Sequence, residues 1–544
     1  MNPTLIDLKI WLNKNLSLTK VLSLSAFGLF FLYCGKIWYS YKFFQKRNIK
    51  TPPYQFFFGN LTEIRKDKKL SKVIRQWTEK YGKTYGFYQG HTPYLVTSDL
   101  ELINEIFIKQ YNNFSAKKTQ PLDRQDDASK QSIITATKGR WKRMRNIMNP
   151  TFSSSKMREL YPSMKLCIDK LLEKIDQNVD QEIDVMSLFK KFTMDTIWNC
   201  AFGIDRNMQY SSLGDLYIKC SDESLEDFAN YSTMMYLATY FSEFRKYIVY
   251  AFLVYNHIMI KLFGEKYVDP LFWIREEVVE VVDTRQKENS KIKKRDYLQL
   301  LMDAYSKNTN SLNENQKTNF SELYLSKKLS LDEIKMNLSI FMMAGSESTS
   351  IALTVLLHVL ASMPEEQEKL IHEIDDHFPN DSDIEPTYDN IQKLEYLDYI
   401  IKETLRMWPI ANPACTRRCV KHTNINGIDV PENLTIIVDV LSVHYDPDLW
   451  GPVDPNVFYP LRFAQSRNSL AFMAFGLGPR NCIGIKFAML ELKMCLVKIF
   501  RKFEAKTTDN TVKELNFIEG VIGILTHKVN LQFKKRNLLN DNLN

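Results

Sequence analysis

The chain has 544 residues, 44% of them apolar and 25% charged, with 33 Phe and 27 Tyr; at roughly 150 residues per domain that length suggests three or four domains. The composition is globular and excludes a largely disordered chain, a collagen, a coiled-coil rod and a multi-span membrane protein. A balance of 72 Lys+Arg to 64 Asp+Glu gives +8, too little to argue for a nucleic-acid partner and compatible with an anionic membrane surface.

Val21 to Cys34 (VLSLSAFGLFFLYC) carries no charge, and apolar character resumes after Lys36 with Ile37, Trp38 and Tyr39. Counted through Tyr39, with Lys20 and Lys36 snorkelling outward, the run is long enough to span a bilayer. A secretory signal is the competing reading. No small-residue cleavage site follows, however, and Trp38, Tyr39 and Tyr41 sit where an interfacial belt would. Lys36, Lys42, Lys46, Arg47 and Lys50 follow the run while only Lys9, Lys14 and Lys20 precede it, which places the bulk of the chain in the cytosol. The lack of any Arg before Arg47 disfavours a mitochondrial presequence. Thr51-Pro52-Pro53 is expected to form an extended spacer as the chain leaves the membrane.

Beyond it, helical periodicity dominates and strand-like runs such as Tyr94-Leu95-Val96 and Leu434 to Val438 are fewer, so the class is mainly α with a smaller β portion. Met234 to Phe263 contains nine consecutive apolar residues, Tyr247 to Tyr255. This is either a core helix or a segment dipping into the membrane above a substrate channel. Lys307 to Lys328 is a polar linker. Ser330 to Met363 reads as one long helix, opened by a Ser330-x-x-Glu333 capping box and stopped by Pro364. Near the C-terminus, Ile483, Phe487, Leu490, Met494 and Val497 form one stripe of an amphipathic helix. The eight cysteines are scattered, with no C-x-x-C pair. This argues against a zinc ribbon or redox dithiol and for reduced, mostly buried thiols.

Phe475-Gly476-Leu477-Gly478-Pro479-Arg480-Asn481-Cys482-Ile483-Gly484 precedes that last helix. Two glycines and a proline force a tight turn, which leaves Cys482 at a helix N-terminus. There the dipole, exposed N–H groups and Arg480 are expected to lower the thiol's pKa. A thiolate suits a soft metal such as haem iron. Phe475, Gly478, Arg480, Cys482 and Gly484 stand as F-x-x-G-x-R-x-C-x-G, and in this the chain resembles the cytochrome P-450 family. Further motifs follow in the family's order. Glu403-Thr404-Leu405-Arg406 resembles its E-x-x-R helix. Tyr459-Pro460-Leu461-Arg462-Phe463 resembles its P-E-R-F segment, with Leu461 where Glu is usual. The resemblance implies a buried triad of Glu403, Arg406 and Arg462, and Leu461, outside it, should be tolerated.

Trp141-x-x-x-Arg145 resembles the helix whose Trp and Arg reach one haem propionate. Arg480 and either Arg417 or Arg418 would serve the other, Arg417 being preferred. Ala344-Gly345-Ser346-Glu347-Ser348-Thr349 resembles the oxygen-activating stretch, where Glu347 and Ser348 match the acid–alcohol pair that relays protons and Thr349 is the alternate hydroxyl. Ser348 replaces the usual Thr, keeping the hydroxyl and losing the methyl that stiffens χ1. Gly345 and the hydroxyl residues are poor helix formers, so a local widening of the helix is expected there. The resemblance makes Phe341, Ala344, Ala411 and Ile522 candidates for substrate contact, with plain core packing as the alternative for each. His444 in His444-x-Asp446-Pro447 is tempting as an acid–base residue, but turn chemistry explains it better.

The resemblance covers residues 51–533. It looks strongest to the microsomal clan that holds the vertebrate drug-metabolising enzymes and thromboxane synthase, with a lean towards nematode members. It implies the cytochrome P-450 fold, a single haem domain over 51–533, behind an anchor and basic flank (1–50) and before a polar tail (534–544). It implies haem b with Cys482 as axial ligand. It also implies an endoplasmic-reticulum monooxygenase with its catalytic domain on the cytosolic face. Electrons would come from NADPH through NADPH–cytochrome P-450 reductase, with cytochrome b5 as a second donor, and the substrate would be apolar. Lys142, Arg143, Lys486 and Lys493 could form a basic docking patch. A peroxide isomerase of the thromboxane-synthase type, or a non-catalytic haem- or sterol-binding membrane protein, are the competing functions.

Overall fold

The expected helical dominance is observed in the structure, a computed structural model that describes residues 18–67, 69–118, 131–219, 233–263, 270–288, 296–305, 328–379, 384–519, 524–526 and 528–536. Helix α1 (Leu18–Ser40) is about 35 Å long at 1.5 Å per residue. Its Leu24, Phe27, Leu29, Phe31 and Leu32 are exposed, as an anchor in a lipid environment requires.

The basic flank after α1 packs against the domain. Ile37, Tyr41 and Phe44 are buried in a core shared with Tyr88, Leu95 and Ile436. Tyr41 Oη donates to the carbonyls of Gln55 and Gly90, each at 3.1 Å. Tyr88 Oη donates in turn to the Tyr41 carbonyl at 2.9 Å. The Phe44 ring lies so close over Gly86 that a Cβ there would stand 2.4 Å from it. Residues 37–50 are therefore part of the folded body. Thr51-Pro52-Pro53 is not a free spacer: Pro52 is buried, and Asn60 Nδ2 donates to the Pro53 carbonyl at 2.7 Å.

A four-stranded sheet in the order β1-β2-β5-β4 is built from β1 (Thr84–Gln89), β2 (Thr92–Thr97), β4 (Thr416–Arg418) and β5 (Thr435–Val438). The two predicted strand runs pair with each other, parallel, with Tyr94 opposite Thr435. β3 (Glu182–Asp184) belongs to a separate three-stranded sheet near the C-terminus. A C-terminal hairpin pairs β6 (Phe517–Glu519) with β7 (Ile524–Thr526).

The helical half contains α2 (Lys138–Met148), α3 (Ser154–Asp176), α4 (Val185–Phe202), α5 (Arg245–Phe263), α6 (Leu331–Ser362), α7 (Glu395–Met407) and α8 (Ile485–Phe500). α6 is the long helix, and the capping box between Ser330 and Glu333 forms as expected. It runs through one large core with α3, α4 and α8. The stripe Phe487, Leu490, Met494 and Val497 is buried on α8, while Ile483 precedes the helix. The cysteine loop lies where the two cores meet: Phe475 packs on the larger and Leu477 belongs to the smaller. The linker at 307–327 lies outside the described residues.

Candidate active site

The turn around Cys482 is fixed by its glycines. Gly476 (φ 72°) and Gly478 (φ 67°) are left-handed, a region that costs other residues strain. A Cβ on Gly478 would stand 2.1 Å from the Phe107 carbonyl oxygen, so the helical turn Glu105–Lys109 approaches too closely for any side chain. The Cys482 N–H donates to the Phe475 carbonyl at 2.8 Å. Arg145 of α2 grips the same loop, donating to both the carbonyl and the side-chain oxygen of Asn481 at 2.8 Å each.

The expected lowering of the Cys482 thiol does not occur. Burial pushes it up; the Gly484 N–H, Lys117 and Arg145 pull it back only in part, and Arg480 is not among the groups acting on it.

Around this sulfur the fold gathers cations. Arg480 is buried, its guanidinium lies 4.7 Å over the Trp141 ring, and it donates to the carbonyls of Ile134 (3.1 Å) and Ala136. Arg417 is buried on β4, 4.1 Å over the Phe107 ring, donating to the Leu477 carbonyl at 3.0 Å. Strand alternation turns its neighbour Arg418 the other way, towards Asn433. Burial and then mutual repulsion hold Arg480 down to about 9, burial holds Arg417 down to about 10, and burial with Arg417 and Arg480 brings Lys117 to about 8. None of Lys117, Arg145, Arg417 and Arg480 has an acidic partner among the described residues, and the Nε atoms of Arg417 and Arg480 are buried without an acceptor. Uncompensated buried charge is costly. This donor set, a soft sulfur beside several unneutralised cations, fits a metal complex carrying carboxylates, and haem has that chemistry.

Ala344 and Ser348 are the exposed positions in the middle of α6, one turn apart, and Ser348 Oγ donates to the Ala344 carbonyl at 2.6 Å. The predicted widening is absent: α6 runs unbroken. The missing side chain of Gly345 serves packing instead, since a Cβ would stand 2.7 Å from Ile197 Cδ1 of α4. Thr349 turns away from Ser348 into the core, towards Glu491 of α8 and Thr196 of α4.

Glu403, Arg406 and Arg462 meet with almost no exposure. Arg406 donates to both Glu403 oxygens (2.7 and 2.9 Å) and Arg462 to one (3.3 Å). Leu461 is on the surface, which accounts for the loss of the usual Glu. His444 is a core pillar. The Met473 N–H donates to its Nε2 (2.9 Å), so Nδ1 carries the proton and donates to the Arg406 carbonyl (2.8 Å).

A family model described as Cytochrome P450 matches residues 50–534. The chain is a cytochrome P450. It is 29% identical to the putative cytochrome P450 CYP13A4 of Caenorhabditis elegans over 96% of this chain and 99% of that one. It is 32% identical to the putative cytochrome P450 CYP13A1 of the same nematode, over 82% and 85%. To cytochrome P450 3A29 of Sus scrofa it is 30% identical, over 91% and 92%. The family makes this protein a haem monooxygenase, and the lean towards nematode members agrees with these relatives.

Other expected positions of this P450 divide. Ala411 is exposed, and the turn that carries it meets the C-terminal hairpin, where the Ile524 N–H donates to the Ile410 carbonyl at 2.8 Å. Ile522 lies outside the described residues. Phe341 is half-buried and packs among Phe152, Tyr297 and Phe487. Half of the proposed basic patch is internal: Arg143 is buried on Glu333 and Lys493 on Asp398. Lys142 and Lys486 remain at the surface. Sequence reasoning missed Lys117, Lys190, Tyr217 and Glu491. Glu491 carried a visible signal, a carboxylate on the apolar face of α8 between Phe487 and Cys495.

Proposed function

We propose that this P450 oxygenates a small apolar molecule, lipid-like or xenobiotic, at the cytosolic face of the endoplasmic reticulum, with electrons from NADPH delivered by NADPH–cytochrome P-450 reductase and optionally cytochrome b5. The observation that carries the reading is the cluster of unneutralised cations around Cys482. Bound there, haem would supply reductive activation of dioxygen and insertion of one oxygen atom into a C–H bond or double bond. Cys482 would be the axial ligand, with the Gly484 N–H donating to it. Trp141, Arg417, Arg480 and Lys117 would hold the propionates. Arg145, engaged with Asn481, would hold the cysteine loop and add its charge to that side.

On α6, Ala344 is small enough to leave room for substrate. Ser348 offers a hydroxyl that can pass a proton once it leaves the Ala344 carbonyl, with Glu347 next to it as the acid. Ala344 and Ala411 remain the substrate-facing candidates. Their small apolar character supports a hydrophobic ligand without selecting one.

The exposed stripe of α5 supports the membrane-dipping alternative for Met234 to Phe263. Tyr247, Tyr250, Val254, Ile258 and Leu262 all face out, too large an apolar patch for a face turned to water. It adjoins α1, because Tyr33 packs on Phe244 (6.1 Å) and Lys36 pairs with Glu243 (2.9 Å). Exposed Tyr54, Phe56 and Phe58 extend the same chemistry.

The test is a reduced carbon-monoxide difference spectrum of membranes containing the protein, followed by NADPH consumption with added reductase. A thiolate-type band and reductase-dependent NADPH oxidation are expected. Absence of the band would overturn the haem-thiolate reading. Turnover of an organic peroxide without reductase or NADPH would point to the isomerase instead.

A further inference from the structure

The side chain of Glu347 is held by two residues that no motif contains. Lys190 of α4 stands with Nζ 3.5 Å from Glu347 Oε2, its side chain 4% exposed against 15% for the glutamate. Tyr217, buried on the helix at 212–219, has its hydroxyl 3.2 Å from Glu347 Oε1 and 2.8 Å from Ser346 Oγ. Ser346 Oγ also lies 2.8 Å from the Met342 carbonyl, to which it donates, so Tyr217 supplies the proton shared with Ser346 and Glu347.

Successive residues on a helix point about 100° apart. Ser346 is buried and Ser348 is exposed on the other side of α6, with Glu347 between them. A hydroxyl that touches both Ser346 and Glu347 draws the carboxylate to the Ser346 side. The two contacts thus fix the direction from which Glu347 faces Ser348.

We propose that Lys190 and Tyr217 are positioning residues for Glu347: together they hold its carboxylate beside Ser346 and set how it is presented to Ser348. The proposal rests on the acid–alcohol reading of Glu347 and Ser348. Neither residue touches the reacting oxygen. Each acts through one carboxylate, by a charge-assisted contact. A clamp of this kind guides proton delivery, because a mobile carboxylate in a hydrated pocket can pass protons along more than one route. With dioxygen as the only acceptor, two electrons and two protons yield one hydrogen peroxide. Four electrons and four protons yield two waters. The ratio of the two therefore reads whether protons arrive where the O–O bond breaks.

The experiment compares Lys190→Met, Tyr217→Phe and Glu347→Gln, alone and combined, in the full-length haem-loaded protein with reductase, NADPH and oxygen. Peroxide formed per NADPH is measured beside the carbon-monoxide spectrum and the thermal unfolding midpoint. Lys190→Met and Tyr217→Phe are each expected to raise the peroxide share about tenfold or less, short of the ~10²–10⁴ carried by a group that transfers the proton itself. Neither is expected to add to it in a Glu347→Gln background. The midpoint should fall in Lys190→Met and recover in part when Glu347→Gln is added, because the carboxylate that Lys190 pairs with is then gone.

Peroxide shares that stay at the wild-type value in both single variants, with a normal spectrum, would overturn the proposal. So would effects that add in full to Glu347→Gln, or a midpoint that shows no recovery. A separate result, Glu347→Gln with unchanged peroxide while the midpoints still couple, would fail the acid–alcohol reading and leave the clamp as a structural contact only.

Discussion

Replacing Glu403 with alanine removes the one anion from a pocket holding two guanidiniums, and the structure lets the cost be worked out. The carboxylate accepts from Arg406 Nε (2.7 Å) and Nη2 (2.9 Å), Arg462 Nε (3.3 Å) and the Tyr459 N–H (3.0 Å). Removing one partner of a buried pair costs about 3–5 kcal/mol. Here two cations lose the same partner, so the top of that range, about 5 kcal/mol, is expected. The remaining contacts soften the loss without cancelling it. Arg406 keeps the carbonyls of His444 (2.6 Å) and Pro455 (2.8 Å), and Arg462 keeps those of Trp450, Val453 (2.7 Å), Asp454 (3.0 Å) and Val457 (3.2 Å). Those carbonyls also decide what a clean hydrophobic replacement would do. Elsewhere such a swap of a whole buried ion cluster is often neutral. Here it strips six carbonyls of their donors, at about 1–3 kcal/mol for each left dry. The triple variant Glu403→Leu/Arg406→Met/Arg462→Met is therefore expected to be less stable than Glu403→Ala. Against a total stability of about 5–15 kcal/mol, neither should accumulate well as holoprotein. The assay is yield of the carbon-monoxide band together with denaturant unfolding followed by tryptophan fluorescence. A wild-type midpoint for Glu403→Ala, or a triple variant more stable than the single one, would refute the reasoning.

Ser348→Ala is expected to keep the carbon-monoxide band and divert reductase electrons to peroxide by at least about tenfold, whereas Thr349→Val, altering a residue turned towards Glu491, should leave that ratio unchanged; equal effects would contradict the assignment. His444 is held down to about 3 by burial, with the Arg406 cation adding to it, from an ordinary 6.5. Its share of stability is thus complete above pH 6.5 and is lost as pH falls towards about 3, because the unfolded chain takes up the proton first. Denaturation midpoints that do not fall on acidification across that window, or fall equally in His444→Gln, would argue otherwise. Glu491 has the opposite sign: burial pushes its carboxyl up to about 8 from 4.5, so stability is complete below pH 4.5 and declines as pH rises through about 8. Glu491→Gln should therefore gain more stability above pH 8 than below pH 4.5, and a pH-independent difference would count against it. Phe44→Ala should cost about 3–5 kcal/mol in denaturant unfolding, although the residue lies in the basic flank; a loss under about 1 kcal/mol, typical of a surface change, would show that flank to be a tether.

What was legible in the sequence is what chemistry fixes at short range. The cysteine loop could be read because Gly476, Gly478, Arg480 and Cys482 are bound to one turn. The capping box of α6 is local by nature. The triad was legible only through the family's pattern, and nothing local revealed that six carbonyls complete it. Reasons that depend on contact across the fold were invisible: Gly478 is required by the Phe107 carbonyl, Gly345 by Ile197 and Gly86 by Phe44. The same gap hides how the basic flank packs against the domain. Pro52-Pro53 looks like punctuation, but the phenylalanine that closes the smaller core stands before it.

Charged residues erred in one direction. Lysine and arginine are exposed by default, so the sequence reads Arg143 and Lys493 as docking-surface residues and gives no sign that Lys190 is buried. These three and Glu491 are buried, and Lys493 and Glu491 stand on helix faces that are otherwise apolar. Such a charge has to be answered from another element. Arg143 meets Glu333 of α6, Lys493 meets Asp398 of α7 and Lys190 meets Glu347 of α6. Glu491 has no cation partner among the described residues, and burial pushes its carboxyl up to about 8. A charge on an apolar stripe therefore signals a partner that the sequence cannot name. In this chain two of the three partners found lie on the one helix that also carries Ser348.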